Sequence, residues 1–436
     1  MRALEGLVPT IGEDEPACPS NAMKHPVGEG PDDLEAFGIG IQQDELVHGQ
    51  PIGAGHQSLD ELRRVRASPA GDGHLHTHGT ASYTAAVKSL GKFPDPFSAE
   101  IAGQPEALRR AAAGLRDQLD TLRALSGLLT NRTVILTGMG GSYAACYPLA
   151  ADLAEAGITA VMLGSAELLH FRAGILGPSS PVIAVSQSGE SAEIVHLAET
   201  LRLREDGPSI VAVTNGANNT LARTADLVLD TRAGGEMGPS TGTFGAALVM
   251  LAGLGKVLGG VSPDAACEAL SGEAERAAVS IERHLANPTL GDAVLAWLGP
   301  REDVVVLGRG PARAAAEMAA LTLKEAVGLP AEALESAQFR HGPLELAGPN
   351  LAVIVIATEP ETESLDRSLA RDLREAGAAV LEITRGGGPF GIGEIDRSIA
   401  PAVSIVPIQL FAHRLAIARG REPGMYVHAA KVTTRE

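Results

Sequence analysis

Two short glycine- and serine-rich segments contain the side chains whose chemistry is easiest to interpret. Residues 138–143 read Gly-Met-Gly-Gly-Ser-Tyr, and residues 186–191 read Ser-Gln-Ser-Gly-Glu-Ser. Each segment follows an aliphatic run and is expected to begin a helix. A helix N-terminus exposes free N–H groups and the positive end of a dipole, while glycine lets a ligand approach the backbone closely. Together the two segments predict a site for a single phosphate monoester.

Other observations limit this interpretation. Ser142 could instead be a simple helix N-cap, whereas residues 186–191 carry more hydrogen-bonding side chains than capping requires. The sequence has no GxxxxGK[ST] pattern, so a nucleoside triphosphate is not expected. The matching turn in the second half, residues 357–362, reads Ala-Thr-Glu-Pro-Glu-Thr. Its two carboxylates would repel phosphate, so we expect one phosphate site per chain.

The elements that position these turns alternate between short strands and helices. Strands are predicted at 133–136, 181–185, 210–213 and 227–229, with helices over 106–128 and from residue 192. This pattern predicts an α/β fold with helices on both faces of a parallel sheet. The second half repeats the first, because 134–140 matches 304–310 and 182–186 matches 353–357. We therefore expect two tandem doubly wound parallel-sheet domains, with ligands beyond the carboxyl ends of the strands.

Composition excludes several classes of protein. The chain has 436 residues, is 45% hydrophobic and carries a net charge of −18, which opposes binding to nucleic acid or to an anionic membrane. No apolar run reaches the roughly 18 residues that a membrane span needs. The three cysteines, Cys18, Cys146 and Cys267, lie far apart and form no CxxC pair. A reduced, cytoplasmic protein is expected.

Residues 1–95 differ from the rest and are predicted to form a disordered, low-order extension before domains at 96–285 and 286–436. Within the extension, His74, His76 and His78 alternate in a pattern that can bind a metal. A flexible segment that binds nothing specific is the favoured interpretation of such a short tract. We expect neither a metal nor a cofactor.

Seven ordered motifs and a C-terminal lysine resemble a known family. They are Glu100-Ile-Ala-Gly-Gln-Pro105, Gly140-Gly-Ser142-Tyr, residues 186–191, Glu236-Met-Gly-Pro-Ser240, Gly308-Arg-Gly310, Leu323-Lys-Glu325, Arg340-His-Gly-Pro343 and Lys431-Val-Thr433. From about residue 97 to its end, the chain resembles the isomerase half of glucosamine-6-phosphate synthase. More broadly, it resembles the sugar isomerase (SIS) domain family, whose domains are flavodoxin-like.

The resemblance implies a role for each predicted site residue. The side chains that would hold the sugar phosphate are Ser142, Ser186, Gln187, Ser188 and Ser191. Glu325 would move a proton between C1 and C2 of the open-chain sugar, and His341 would assist ring opening from the neighbouring subunit of a homodimer. Lys431 would form an imine with a ketose. The rest of the implied substrate site comprises Gly140, Gly141, Glu236 and Lys324.

The residues alone leave simpler alternatives open. Lys324 and Glu325 could belong to a solvated helix face, His341 to a helix-stopping turn, and Lys431 to an ordinary surface. The sequence also departs from the synthase pattern, because Thr322 and Gly242 stand where lysines are expected. In addition, residues 1–95 show no glutaminase domain.

These features favour an aldose–ketose isomerase. Its substrate would be an amino-sugar phosphate or a fructosamine phosphate, with release of the amine, as in deaminases and deglycases. The alternatives are a synthase-like isomerase subunit, a plain phosphosugar isomerase and a non-catalytic sugar-phosphate sensor.

Overall fold

A computed structural model of the protein describes residues 95–128 and 133–436. All of these residues belong to one compact unit. The predictions for residues 1–94, including the alternating histidines, lie outside the described residues.

The described residues contain two parallel sheets. The first has the order β2-β1-β3-β4-β5 and comprises β1 (Val134–Gly138), β2 (Ala160–Gly164), β3 (Val182–Ser186), β4 (Ile210–Thr214) and β5 (Leu227–Asp230). The second has the order β7-β6-β8-β9 and comprises β6 (Asp303–Gly308), β7 (Ala331–Glu335), β8 (Leu351–Ala357) and β9 (Ala379–Thr384). The predicted α/β class with parallel sheets is confirmed.

Helices connect the strands, as parallel pairing requires. Those before β6 are α1 (Pro96–Ala102), α2 (Gln104–Arg116), α3 (Leu119–Leu128), α4 (Gly141–Ala144), α5 (Cys146–Glu155), α6 (Ser165–Phe171), α7 (Ala192–Arg202), α8 (Thr220–Thr224), α9 (Gly242–Leu258), α10 (Pro263–Leu285) and α11 (Leu290–Leu298). Those after β6 are α12 (Arg313–Val327), α13 (Ser336–Phe339), α14 (Glu363–Glu375), α15 (Ala400–Ser404) and α16 (Val406–Ala418). Short 3₁₀ turns lie at Ala173–Ile175, Gly310–Ala312 and Pro343–Leu346.

The helix predicted over residues 106–128 is interrupted in the structure. It forms α2 and α3, which are separated at Asp117 and Gln118. The Gln118 side-chain amide donates to the Asp230 carbonyl at 3.0 Å, and its oxygen accepts from the Asp230 N–H at 2.8 Å. The interruption thus lets one side chain pair with the end of β5, a contact that helical periodicity cannot reveal.

One large hydrophobic core joins helices from both halves of the chain. Helix α9 is buried along almost its whole length, and the alanine-rich face of α12 contributes Ala315, Ala316, Ala319 and Ala320 to the same core. Small side chains allow neighbouring helices to approach closely. As a result, α12 from the second half packs against α4 and α5 of the first half, beside the ends of β1 and β3.

Two further sequence expectations concern membranes and thiols. Among the described residues, the helical stretch Ala400–Ala418, which comprises α15 and α16, is long and apolar enough to cross a membrane. However, 89% of its apolar window is buried inside the fold, as is typical of core helices. Cys146 and Cys267 are buried and unpaired. Burial raises the pKa of the Cys146 thiol to about 12, which suits an unreactive core side chain.

Candidate functional site

The turn after β1 depends on glycine at two positions. A Cβ on Gly138 would lie 2.9 Å from the carbonyl oxygen of Val185, so only glycine allows β1 to approach β3 this closely. Gly140 adopts φ = +53°, a conformation that other residues rarely take. The turn leads directly into α4, with Ser142 in its first turn.

The turn after β3 is held by its own side chains. The Ser186 hydroxyl accepts a hydrogen bond from the Gly189 N–H, and the Ser188 hydroxyl accepts one from the Glu190 N–H, both at 3.1 Å. Gly189 adopts φ = +64°. The Glu190 carboxylate accepts from the N–H of Thr220 at 2.7 Å and from its hydroxyl at 2.8 Å. The only acidic side chain of the turn is therefore engaged by α8.

Ser191 precedes α7, but its hydroxyl makes no capping hydrogen bond to that helix. The first N–H of α7, that of Ala192, donates instead to the Thr433 carbonyl at 2.9 Å. The C-terminal segment thus lies against the start of α7, and the Ser191 hydroxyl keeps its hydrogen-bonding capacity for another partner.

A cavity of about 180 Å³ lies between these turns, α12 and the C-terminal segment. Its walls include nine predicted site residues, namely Gly140, Gly141, Ser142, Ser186, Gln187, Ser188, Ser191, Glu325 and Lys431. Serine hydroxyls and two helix N-termini from the first half therefore face a carboxylate and an ammonium group from the second half. The arrangement can hold a phosphate at one end and exchange protons at the other.

Glu325 is the acid–base candidate in this cavity. Glu325 is half-buried, and burial raises the pKa of its carboxyl group. Lys431 and Lys324 lower that pKa and Glu236 raises it, but burial has the largest influence. A carboxylate with a raised pKa is a stronger base than an exposed one, which suits proton abstraction near neutral pH.

Lys431 is held in place by hydrogen bonds. Its ammonium nitrogen lies 2.7 Å from Glu236 Oε2 and 2.7 Å from the Gly238 carbonyl oxygen. The Glu236 side chain is only 2% exposed and also accepts hydrogen bonds from Thr241 and Thr243 at the start of α9. Glu236 does not line the cavity, and its hydrogen bond with Lys431 fixes the position of that ammonium group.

Two other predicted residues lie away from the cavity. Lys324 is exposed on α12, and His341 is exposed just after α13; neither lines the cavity. The imidazole of His341 is thus absent from the site formed by this one chain.

Several lining residues were not among the predicted site residues. They are Met139, Val185, Ile194, Ser240, Leu321, Tyr426 and Thr433. Met139, Ser240 and Thr433 belong to segments that the sequence analysis had singled out, but Tyr426 had no such signal. Burial raises the pKa of the Tyr426 hydroxyl, and Glu325, Glu236 and Glu100 raise it further, so this hydroxyl stays protonated at neutral pH.

Comparison with known proteins decides the family. The model of the SIS domain matches residues 127–254 and 298–390, about half of the chain, and covers both sheets. The chain belongs to the SIS domain family. A relative from Pyrobaculum aerophilum, glutamine–fructose-6-phosphate aminotransferase (isomerizing), is 31% identical over 81% of this chain and 60% of its own length. This SIS protein therefore spans about 60% of the length of such relatives.

Solved structures show the same fold. The C-terminal domain of glucosamine-fructose-6-phosphate aminotransferase from Francisella tularensis superposes with a TM-score of 0.67 at 22% identity, over 78% of this chain and all of that one. Glucosamine-6-phosphate deaminase from Thermotoga maritima gives a TM-score of 0.61 at 22% identity, over 77% of this chain and 98% of the other. Both of these similar proteins are named as enzymes of amino-sugar phosphates.

Proposed function

We propose that this SIS protein is a phosphosugar aldose–ketose isomerase that acts on an amino-sugar phosphate or a fructosamine phosphate and releases the amine. One observation carries the proposal: a single cavity combines serine-lined helix N-termini with the half-buried Glu325 carboxylate. The first feature suits a phosphate and the second suits proton transfer at carbon. A protein that only sensed phosphosugars would need the first alone.

The phosphate would bind at the turns after β1 and β3. Ser142, Ser188 and Ser191 would donate hydroxyl hydrogen bonds, and the N-terminal amides of α4 and α7 would add their dipoles. Ser186 and Gln187 would support the same group from the end of β3. Because Glu190 is engaged by Thr220, its charge would be partly offset.

Glu325 would then act on the open-chain sugar. Its carboxylate would remove the proton from one carbon of the C1–C2 pair and return it to the other through a cis-enediol. A positioned general base contributes about 10²- to 10⁴-fold to such a step. The raised pKa of Glu325 predicts that activity rises with pH as this carboxyl group ionises.

Lys431 would distinguish amine chemistry from plain isomerisation. Once it has lost a proton, its nitrogen would attack the imine carbon that isomerisation of the amino sugar produces and expel the amine. This leaves an imine between Lys431 and the sugar, which water then hydrolyses. In the present arrangement this nitrogen donates to Glu236 and Gly238, so it must first leave these partners. The amine chemistry therefore includes a local rearrangement of the C-terminal segment.

His341 would reach the cavity from a second copy of the chain. Its exposure and its distance from the cavity of its own chain suit a residue that completes a partner's site. We therefore propose a cytoplasmic homodimer, with the two domains divided near residue 285.

Amine release from glucosamine 6-phosphate, galactosamine 6-phosphate and a fructosamine 6-phosphate tests the proposal. Wild type should release amine from at least one substrate, and Glu325→Gln should reduce the rate by about 10²-fold or more. Glu332→Gln, which removes an exposed carboxylate of β7, is the matched control and should leave the rate unchanged. Equal rates for wild type and Glu325→Gln would refute the role of this base. Isomerisation without amine release would instead identify a plain phosphosugar isomerase.

A further inference from the structure

The C-terminal segment, residues 419–436, contributes a tyrosine to the candidate cavity. Tyr426 lines this cavity together with Glu325 and Lys431. The residue is half-buried, and its hydroxyl forms no hydrogen bond with any of the residues that the structure describes. A phenolic hydroxyl can donate a hydrogen bond as well as accept one. The Tyr426 hydroxyl is therefore available to a ligand in the cavity.

A tight turn fixes the chain just before Tyr426. The Met425 N–H donates to the Glu422 carbonyl at 3.2 Å, and Gly424 between them adopts φ = +72°. Proline followed by a glycine with positive φ is the pattern of a type II turn. A Cβ on Gly424 would lie 2.9 Å from the Cβ of Phe97, a fully buried residue of α1. The turn therefore packs directly against the core.

The chain after Tyr426 is anchored as well. The Lys431 ammonium group donates to Glu236 at 2.7 Å, and the Thr433 carbonyl accepts from the Ala192 N–H at 2.9 Å. Contacts on both sides thus hold the tyrosine at the cavity. A donor that is already in position needs no reorganisation at the moment of reaction, and this makes it effective in catalysis.

The charges around Tyr426 keep its hydroxyl protonated. Burial raises the pKa of this hydroxyl, and Glu325, Glu236 and Glu100 raise it further. Glu325 has the largest influence of the three carboxylates, which agrees with its position in the same cavity. An ammonium group at this place would lower the pKa of Glu325 and weaken it as a base, whereas a neutral hydroxyl adds no charge.

The proposed reaction develops negative charge on a sugar oxygen. When Glu325 takes a proton from the carbon next to the carbonyl, the C–H electron pair forms a carbon–carbon double bond, and the π pair of the carbonyl moves onto its oxygen. A donor placed at this oxygen stabilises the transition state more than the ground state. Among the described residues that line the cavity, Lys431 is the only cation, and Glu236 engages it. A neutral donor next to Glu325 is therefore the group that this step requires.

We propose that Tyr426 donates a hydrogen bond to the carbonyl oxygen of the open-chain sugar and stabilises this oxygen as the enediolate forms. The hydroxyl keeps its own proton in this step. The role rests on the proposed isomerase function, and it adds a catalytic residue that lies in none of the sequence motifs.

Calorimetric titration of the full chain with two unreactive ligands tests this role. Arabinonohydroxamate 5-phosphate carries a flat, negatively polarised group that resembles a cis-enediolate, whereas glucitol 6-phosphate carries the phosphate but no carbonyl. Wild type should bind the hydroxamate more tightly than glucitol 6-phosphate. Tyr426→Phe should reduce this preference by about tenfold or more, as expected for one hydrogen bond to a charged group. Its affinity for glucitol 6-phosphate should remain that of wild type.

A matched control and a rate measurement accompany the titration. Tyr147→Phe removes a hydroxyl from α5 outside the cavity and should leave the preference unchanged. In Tyr426→Phe, kcat should fall by about 10²-fold, as for the loss of one preorganised donor to an oxyanion, while KM stays close to that of wild type. A tyrosine that only supported the C-terminal segment would instead raise KM.

The outcomes separate this role from the proposed function. An equal preference for the hydroxamate in wild type and Tyr426→Phe would overturn the role of Tyr426 and leave the proposed function intact. Equal loss of affinity for both ligands in Tyr426→Phe would identify a structural residue and would also overturn the role. If wild type itself bound both ligands alike, the site would not recognise an enediolate, and the proposed isomerase function would fail together with the role of Tyr426.

Discussion

Replacing the buried Glu359 by glutamine should change how stability depends on pH. This residue is 5% exposed, and burial raises the pKa of its carboxyl group to about 7 from its ordinary value of 4.5. Nearby Arg397 and Arg385 lower the pKa, and Glu361 and Asp152 raise it, but burial is the largest cause. The folded protein therefore keeps a proton that the unfolded chain releases as the pH rises above 4.5.

The sign and size of the effect follow from this difference. Below pH 4.5 the carboxyl group is protonated in both states, and its ionisation has no effect on stability. Above pH 7 it is ionised in both states, and the folded state bears the cost of a buried charge. At about 1.4 kcal/mol per tenfold change in proton affinity, the full cost is about 3 kcal/mol. The free energy of unfolding of the wild-type protein therefore decreases as the pH rises from 4.5 to 7.

Urea unfolding of wild type and Glu359→Gln at pH 5 and pH 8 measures this cost. Glutamine has nearly the same shape and no charge. From pH 5 to pH 8, the free energy of unfolding of the variant should therefore rise by about 2 to 3 kcal/mol relative to that of wild type. Glu361→Gln, an exposed carboxylate two residues away, is the matched control and should follow wild type. If Glu359→Gln lost stability with pH as wild type does, the argument from burial would be refuted.

Three further predictions concern the candidate site. Ser188→Ala should weaken phosphosugar binding by about 1.5–3 kcal/mol, measured by calorimetry, because it removes a hydrogen bond to a charged group. Substitution of the exposed Ser179 by alanine is the control and should leave the affinity unchanged. Equal affinities of wild type and Ser188→Ala would show that Ser188 does not bind the phosphate. Gly189→Ala should reduce the free energy of unfolding by more than about 1 kcal/mol, because φ is +64° there. Gly177→Ala, where an added Cβ meets nothing within 4 Å, is its control. Equal free energies of unfolding for the two variants would contradict the inferred backbone strain at Gly189. Lys431→Ala should abolish amine release but spare isomerisation of a phosphosugar that lacks an amine; loss of both activities would argue against a role confined to the imine.

Much of the fold was predictable because the signals for it are local. The predicted strands at 181–185 and 210–213 lie within one residue of β3 and β4, since short aliphatic runs bounded by glycine and serine behave alike in most surroundings. The two glycine- and serine-rich turns could also be predicted from the sequence, because Gly140 and Gly189 adopt a backbone conformation that few other residues take.

Other features required contacts between distant parts of the chain. Periodicity predicted one helix over 106–128, but Gln118 pairs with Asp230 and the helix is divided there. The resemblance implied Glu236 as part of the substrate site, and only the structure shows that its buried side chain accepts a hydrogen bond from Lys431.

The sequence by itself determined the class of fold, the two glycine- and serine-rich turns and the types of residue available for chemistry, because periodicity, glycine and serine act over a few neighbouring positions. The tertiary structure alone decided which of those residues meet. Packing of α12 against the first half brings Glu325 to turns more than 130 residues earlier in the chain. The same packing places the end of α5 beside Glu361 of the second half. These contacts depend on how hydrophobic faces from both halves pack into one core, and sequence spacing does not predict that packing.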